Sequence, residues 1–509
     1  MAAAIATILA IPSVPHAAPL LLADPARPGE TAPSVGRSLF DDLFGAATGT
    51  EPPYPFERLT AAVTKANGGV RPRAVLIPMG RSLQRLAADP DYFASPRVVM
   101  GVGASNAQAS LHIRDRLFIG YQPASASMEV ISYNETLGRF EFQVVSNYDG
   151  AGKPLVEYAD RSLCTSCHQG HGPIFPIAQW NETNANPEIA SRMAGLGSSF
   201  HGVPVKRGID EPDALDQAVG RAGRLALVPF VWRQLCAAAP GLRPAECRAR
   251  LLLAALRWRL GGSRGPWRAG EDADLAAALH AALRSLSPEG VAVPDPSLPD
   301  RNPLLELEAG TKPMDVVEPE GVYDPAAARA PRLLASPSDA EGDTLALAVA
   351  VIGESFSPRM VAGIDAALTR RGGPATRFAA ACAIERVSGE TRFECEGPVL
   401  TMSGHVSAGG GTVSRLALKG HAPLGGLAVL PGSGRDLRLA EAAQGLTARL
   451  ATGERLAPLR LGEGSAEIAV IDDIAALRRA MAALDRSSTD KMPRDVADMV
   501  RAELAGPAP

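Results

Sequence analysis

No stretch of the 509 residues reaches the roughly eighteen uninterrupted apolar positions of a bilayer span, and the best internal run, Thr344 to Gly353, is too short for one. Blocks of like charge are equally lacking. The 51 basic and 55 acidic residues leave a net charge of -4 with no long run of either sign. The expectation is a protein that is not membrane-embedded and binds no nucleic acid. A Walker phosphate loop, a His-Glu-x-x-His and a Gly-x-Ser-x-Gly are all missing, so nucleotide, metalloprotease and hydrolase readings lose their usual support.

Cysteine is scarce but ordered. The six residues fall as three close pairs, Cys164 with Cys167, Cys236 with Cys247 and Cys382 with Cys395. Such pairing suits an oxidising compartment. In "CAIERVSGETRFEC" a two-residue turn at Ser388 and Gly389 sets Val387 against Glu390 and brings Cys382 opposite Cys395, in a non-hydrogen-bonded pair where strands approach closely. Cys236 and Cys247 flank "AAAPGLRPAE", where Pro240 and Gly241 turn one helix into the next. Buried free thiols are the alternative for either pair. The N-terminus, "MAAAIATILAIPSVPHAAP", reads as an export signal over residues 1–18 although no Lys or Arg precedes its apolar segment; a disordered Ala-rich leader is the alternative.

Length and patterning point to an α+β multidomain chain. Residues 19–53, rich in Pro, Gly and Thr, read as a flexible arm. Residues 54–158 read as a β-rich N-terminal domain, an antiparallel meander carried by "RLFIGYQ", "MEVISYN" and "RFEFQVV". A helical region follows over 159–288, a Pro-rich linker over 289–340, a β-rich domain over 341–470 and two C-terminal helices over 471–509.

The chemistry concentrates in "RSLCTSCHQGHGPIFP", Arg161 to Pro176, with Cys-x-x-Cys-His at Cys164, Cys167 and His168. On a helix these stand at i, i+3 and i+4, so two thioether bonds can hold a porphyrin edge while the imidazole reaches the iron. A redox dithiol and half of a zinc site completed by His171 or His201 are the alternatives. The first lacks a surrounding βαβ pattern and the second lacks another Cys-x-x-Cys.

The motif and the loop after it, "GHGPIFP", resemble class I c-type cytochromes over about fifteen residues. That resemblance implies one covalent haem c, with His168 as axial ligand and the carbonyl of Pro173 or Pro176 accepting from its second ring nitrogen. From "GYQ" and "EVISYNETLGRFEFQVV" through the motif to "WNETNANP", the chain also resembles a group of large exported bacterial proteins with a single Cys-x-x-Cys-His, which implies a haem without supplying an activity.

The sixth iron position has Met193 as first candidate, with His201 and the more remote Met402 behind it, and each is alternatively a core or surface residue. Trp180 is a candidate to pack on the haem and Arg161 to pair with a propionate. Glu182, Asn184 and Asn186 either line a distal pocket or cap the next helix, the second being the simpler reading. His112, His280, His405 and His421 have no ligand spacing, and a copper site at Met402 and His405 has little support. Two functions follow as expectations: a periplasmic mono-haem electron carrier serving a redox partner protein, or a haem enzyme of peroxidase or oxidase type with an open sixth position and Glu182 or His201 as distal acid-base group.

Overall fold

The computed structural model describes residues 20–21, 27–45, 48–103, 113–168, 170–176, 179–260, 272–293, 297–298, 300–308, 332–356, 358–371, 373–432, 435–440, 447–450, 454–484 and 490–506. The expected signal over residues 1–18 and His112 lie outside them. The chain combines helices and strands, with an antiparallel sheet in its N-terminal part and an eight-stranded barrel in its C-terminal part.

The N-terminal part contains helices α1 (Leu39–Phe44) and α2 (Phe56–Ala66), then strands β1 (Arg73–Ile77), β2 (Arg97–Gly101), β3 (Leu117–Gln122), β4 (Ser127–Asn134), β5 (Arg139–Ser146) and β6 (Leu155–Tyr158). The six strands pair in sequence order, all antiparallel. Helices α3 (Arg161–Cys167), α4 (Pro187–Ala194) and α5 (Asp210–Arg224) follow.

Both faces of this sheet are covered. Register puts Val75, Ile77, Val99, Phe118, Ile131, Phe140 and Phe142 on one face, and period two puts Ala74, Leu76, Val98, Met100, Ile119 and Val130 on the other. The second face packs on α1, α2 and α4 through Phe40, Phe44, Leu59, Val63, Ile189 and Met193. The first packs on α5, whose Leu215, Ala218, Val219 and Ala222 recur at helical spacing. Acidic residues begin α5 and Arg221 and Arg224 end it, as its dipole favours. Glu211 in its first turn ties the helix to the sheet edge, accepting from the backbone of Ala74 at 3.2 Å and pairing with Arg73 at 2.8 Å.

The expected flexible arm is not loose. Leu20 and Leu21 pair with Val291 and Ala292, and α1 buries Leu39, Phe40 and Phe44. Ser38 caps α1 and donates to Gln143 at 2.6 Å, while Arg139 pairs with Glu141 at 2.8 Å, so both polar residues are buried with partners although they alternate with Phe140 and Phe142.

Helices α6 (Pro244–Leu260), α7 (Ala273–Leu286), α8 (Glu341–Ser355), α9 (Pro358–Arg371), α10 (Ile474–Leu484) and α11 (Pro493–Ala505) share one apolar core. Two corrections follow. The segment expected to open a β-rich domain at 341 forms α8 and α9 before the first barrel strand; its apolar run is a buried helix face, which periodicity alone does not separate from a buried strand. The Cys-x-x-Cys-His helix α3 packs beside β5 of the sheet and not in the helical core. Among the described residues no single helix is long and apolar enough to cross a membrane.

The barrel comprises β7 (Ala375–Val387), β8 (Glu390–Glu396), β9 (Leu400–Ser407), β10 (Gly410–Leu418), β11 (Leu427–Pro431), β12 (Asp436–Ala440), β13 (Leu459–Leu461) and β14 (Ser465–Ile471). The pairing of β7 with β14 closes it. Cys382 stands opposite Cys395 in the expected register, and the two are bridged; Cys236 and Cys247 are bridged as well.

Candidate functional site

Asp160 caps α3, accepting from the backbone of Ser162 at 2.9 Å, and the helix ends where His168 leaves helical geometry. Within this short helix Cys164, Cys167 and His168 all reach one cavity of about 360 Å³, within the size range of small-molecule and cofactor sites.

Apolar side chains dominate the wall. Ile77, Val99, Phe118, Ile131 and Phe142 come from the sheet, Leu215 and Val219 from α5, and Pro173, Phe175 and Pro176 from the loop after the motif. The Phe142 ring lies 5.4 Å from that of His168. Leu83 and Leu163 line the same cavity while 59% and 55% exposed, so they mark its open side.

His168 Nδ1 donates to the carbonyl of Gly172 at 2.8 Å, a bond that sets the tautomer with its lone pair on Nε2. The acceptor is therefore Gly172 and not Pro173 or Pro176, because the chain turns back sharply at His171, whose φ is 53°. Gln179 and Trp180 also have positive φ, so strained backbone gathers just after the motif, as it does at functional sites.

Cys164 and Cys167 are thiols, unlike the other four cysteines. Burial, aided by the nearby negative charges of Glu129 and Asp160, pushes the Cys164 thiol up to about 11. An attacking dithiol needs the opposite shift. Among the described residues no three His, Cys, Asp or Glu side chains converge to hold a metal ion directly, which leaves the zinc reading without a ligand set.

The cavity thus gathers two thiols, one imidazole with a fixed tautomer, an apolar wall and cations at Arg81, Arg85 and Arg97.

Several expected site residues lie elsewhere. Met193 is fully buried in the core cluster that holds Leu59, Leu76 and Val203, on the sheet face opposite the cavity, because the apolar face of α4 packs there. His201 stacks edge-on against Tyr121, 5.1 Å away, on that same far face. Met402 is in the barrel core and His405 on its half-exposed surface, which separates the two residues of the suggested copper site. Trp180 is buried with Phe175 and Leu225 and is absent from the cavity wall. Arg161 pairs with Glu30 at 3.0 Å and contacts His171 Nδ1 at 3.2 Å, holding the loop instead of facing the cavity.

The acidic-amide segment divides by role. Asn186 caps α4, accepting from Glu188 at 3.0 Å. Asn184 joins three backbones, accepting from Leu76 at 3.0 Å and donating to Pro204 and Val205. Glu182 does line the cavity, where Arg81 and Arg301 both pair with it, Arg301 at 3.3 Å. Arg301 belongs to the segment expected to be a linker. There Ser297–Leu298 pairs in parallel with Phe175–Pro176, Asp300 accepts from the Asn181 backbone at 3.0 Å and Leu298 joins the cavity wall. This part of 289–340 is a strap across the site; residues 309–331 lie outside the described ones.

Sequence reasoning missed Arg81, Arg85, Arg97 and Leu298. The one signal available was Gly120, an isolated glycine in a strand pattern, which marks a close approach. A Cβ there would collide with the Arg97 guanidinium. No family model, curated protein or solved structure matches this chain, so the function follows from these residues.

Proposed function

We propose that the cavity holds one haem c, attached through Cys164 and Cys167 with His168 as axial ligand, and that the protein is an exported, periplasmic haem protein exchanging electrons with a partner protein or substrate. One observation carries this reading: the two thiols and the pinned imidazole meet on a single apolar wall. When bound there, the group supplies one-electron redox chemistry. The chain's own contribution is to fix His168 through Gly172, to exclude water with the sheet, α5 and the strap, and to cover the macrocycle with otherwise exposed apolar side chains such as Leu83 and Leu163. Two disulfides agree with an oxidising compartment.

Between a carrier and a peroxidase- or oxidase-type enzyme, the placement of Met193, His201 and Met402 favours the second. All three stand away from the cavity, and among its described lining residues His168 is the only histidine and there is no methionine. Glu182 lies on the wall as a carboxylate held by two guanidiniums, so it serves to position Arg81 and Arg301 more readily than to shuttle protons. The test is the optical spectrum of the reduced, exported protein with and without carbon monoxide. A covalent-haem spectrum that shifts with the gas is the expected result. A spectrum that does not move returns the protein to the carrier reading, and no covalent haem overturns the site.

A further inference from the structure

The cavity wall carries three cations, and their partners differ. Arg81 is paired with Glu182, and Arg97 crosses over Gly120 to Glu129 at 2.5 Å. Arg85 has no carboxylate partner among the described residues. Its Nη1 makes one long bond, 3.4 Å, to the Ser82 carbonyl, and its Nε is buried with no hydrogen-bond partner. The Nε of Arg97 is likewise buried and unmatched.

Arg85 is only partly buried, but its shielded Nε beside an apolar wall favours a negatively charged partner there. The remaining charged groups on the wall, Glu129 and Glu182, are already engaged by Arg97 and by Arg81 with Arg301. Among the described wall residues no carboxylate is left for Arg85, which leaves a place for a negative charge brought by a ligand.

We propose that Arg85, supported by Arg97, binds a carboxylate of the cavity's ligand, which for a haem is one of its propionates. This rests on the haem reading and adds to it the residue that orients the macrocycle. Carboxylate pairing with Arg is directional, through two parallel N–H donors, and so it fixes which edge of the ring faces the open side near Leu83.

The experiment uses the covalently loaded full chain. Its reduction potential is followed against pH by spectroelectrochemistry in the native protein, in Arg85→Gln and in Arg85→Lys. A cation beside a carboxylate lowers that group's pKa by about one to three units. Arg85→Gln should therefore move a carboxylate-dependent inflection in the potential upward by at least about one pH unit, while Arg85→Lys keeps most of the native profile. Superimposable profiles for native protein and Arg85→Gln overturn the proposal, as does an upward shift that Arg85→Lys shows in full. Absence of covalent haem in the native protein is a different failure, that of the haem reading itself, visible before any titration begins.

Discussion

The two sheets of this protein solve the same problem in opposite ways. The barrel closes through β7 and β14, satisfies its strand edges internally and fills its interior with side chains such as Phe378, Met402, Val413 and Leu439. Its cysteines cross-link neighbouring strands. The N-terminal sheet stays open and must have each face covered by other elements. Regular helices cover one face tightly. The other is shared among a short helix, a proline-containing loop, α5 and a strap from residue 297 onward, and irregular cover leaves a cavity. The cavity, with its two thiols and His168, opens where irregular backbone leaves the packing incomplete, not where a closed architecture completes it.

The contrast can be broken at its base. Replacing Cys164 and Cys167 together with alanine should abolish covalent haem, read as haem no longer retained by the denatured polypeptide, while unfolding of the barrel is unchanged. Haem retained on the denatured variant would remove the chemical distinction between the sheets.

The next effect belongs to the barrel side. Asp473 is fully buried and accepts from Arg455 at 2.9 Å and Arg449 at 3.3 Å, and burial pushes Arg449 down to about 10 against the pull of Asp473. Asp473→Ala takes the carboxylate from buried Arg455 and leaves Arg449 to Asp365, and should cost about 3–5 kcal/mol in denaturant unfolding, with the haem spectrum preserved. Loss of the Cys382–Cys395 bridge by double serine substitution is expected to cost about 2–3 kcal/mol, again without a spectral change.

A comparable cut on the other sheet should register in both measurements. Glu182→Gln leaves Arg81 and Arg301 on a neutral partner, for a cost of about 1–3 kcal/mol, and should alter the spectrum because Glu182 lines the cavity. An unaltered spectrum would show that these charges only brace the strap. The smallest effect is Met193→Leu, within about 1.5 kcal/mol and with no spectral consequence; a changed haem spectrum would place Met193 at the iron after all.

Much was legible where local rules suffice. The meander appeared in the alternation of Phe140, Phe142 and Val144, and the cross-strand meeting of Cys382 and Cys395 followed from counting outward from one turn. Elsewhere local rules pointed the wrong way. Prolines made residues 289–340 look like a linker, yet Leu298, Asp300 and Arg301 bind the site through pairings more than a hundred residues distant in sequence. Met193 lies at a plausible ligand spacing downstream, but the apolar face of α4 turns it away.

The sequence by itself determined that Cys164, Cys167 and His168 share one side of the chain, because they span a short helix and its C-cap, where geometry is set by local backbone dihedrals. It also determined the bridged hairpin, where register follows from a two-residue turn. Only the tertiary structure decided what faces those donors. The glycine that lets Arg97 cross a strand, the unmatched Arg85 and the strap are brought together by long-range packing of segments whose own patterns carry no trace of one another.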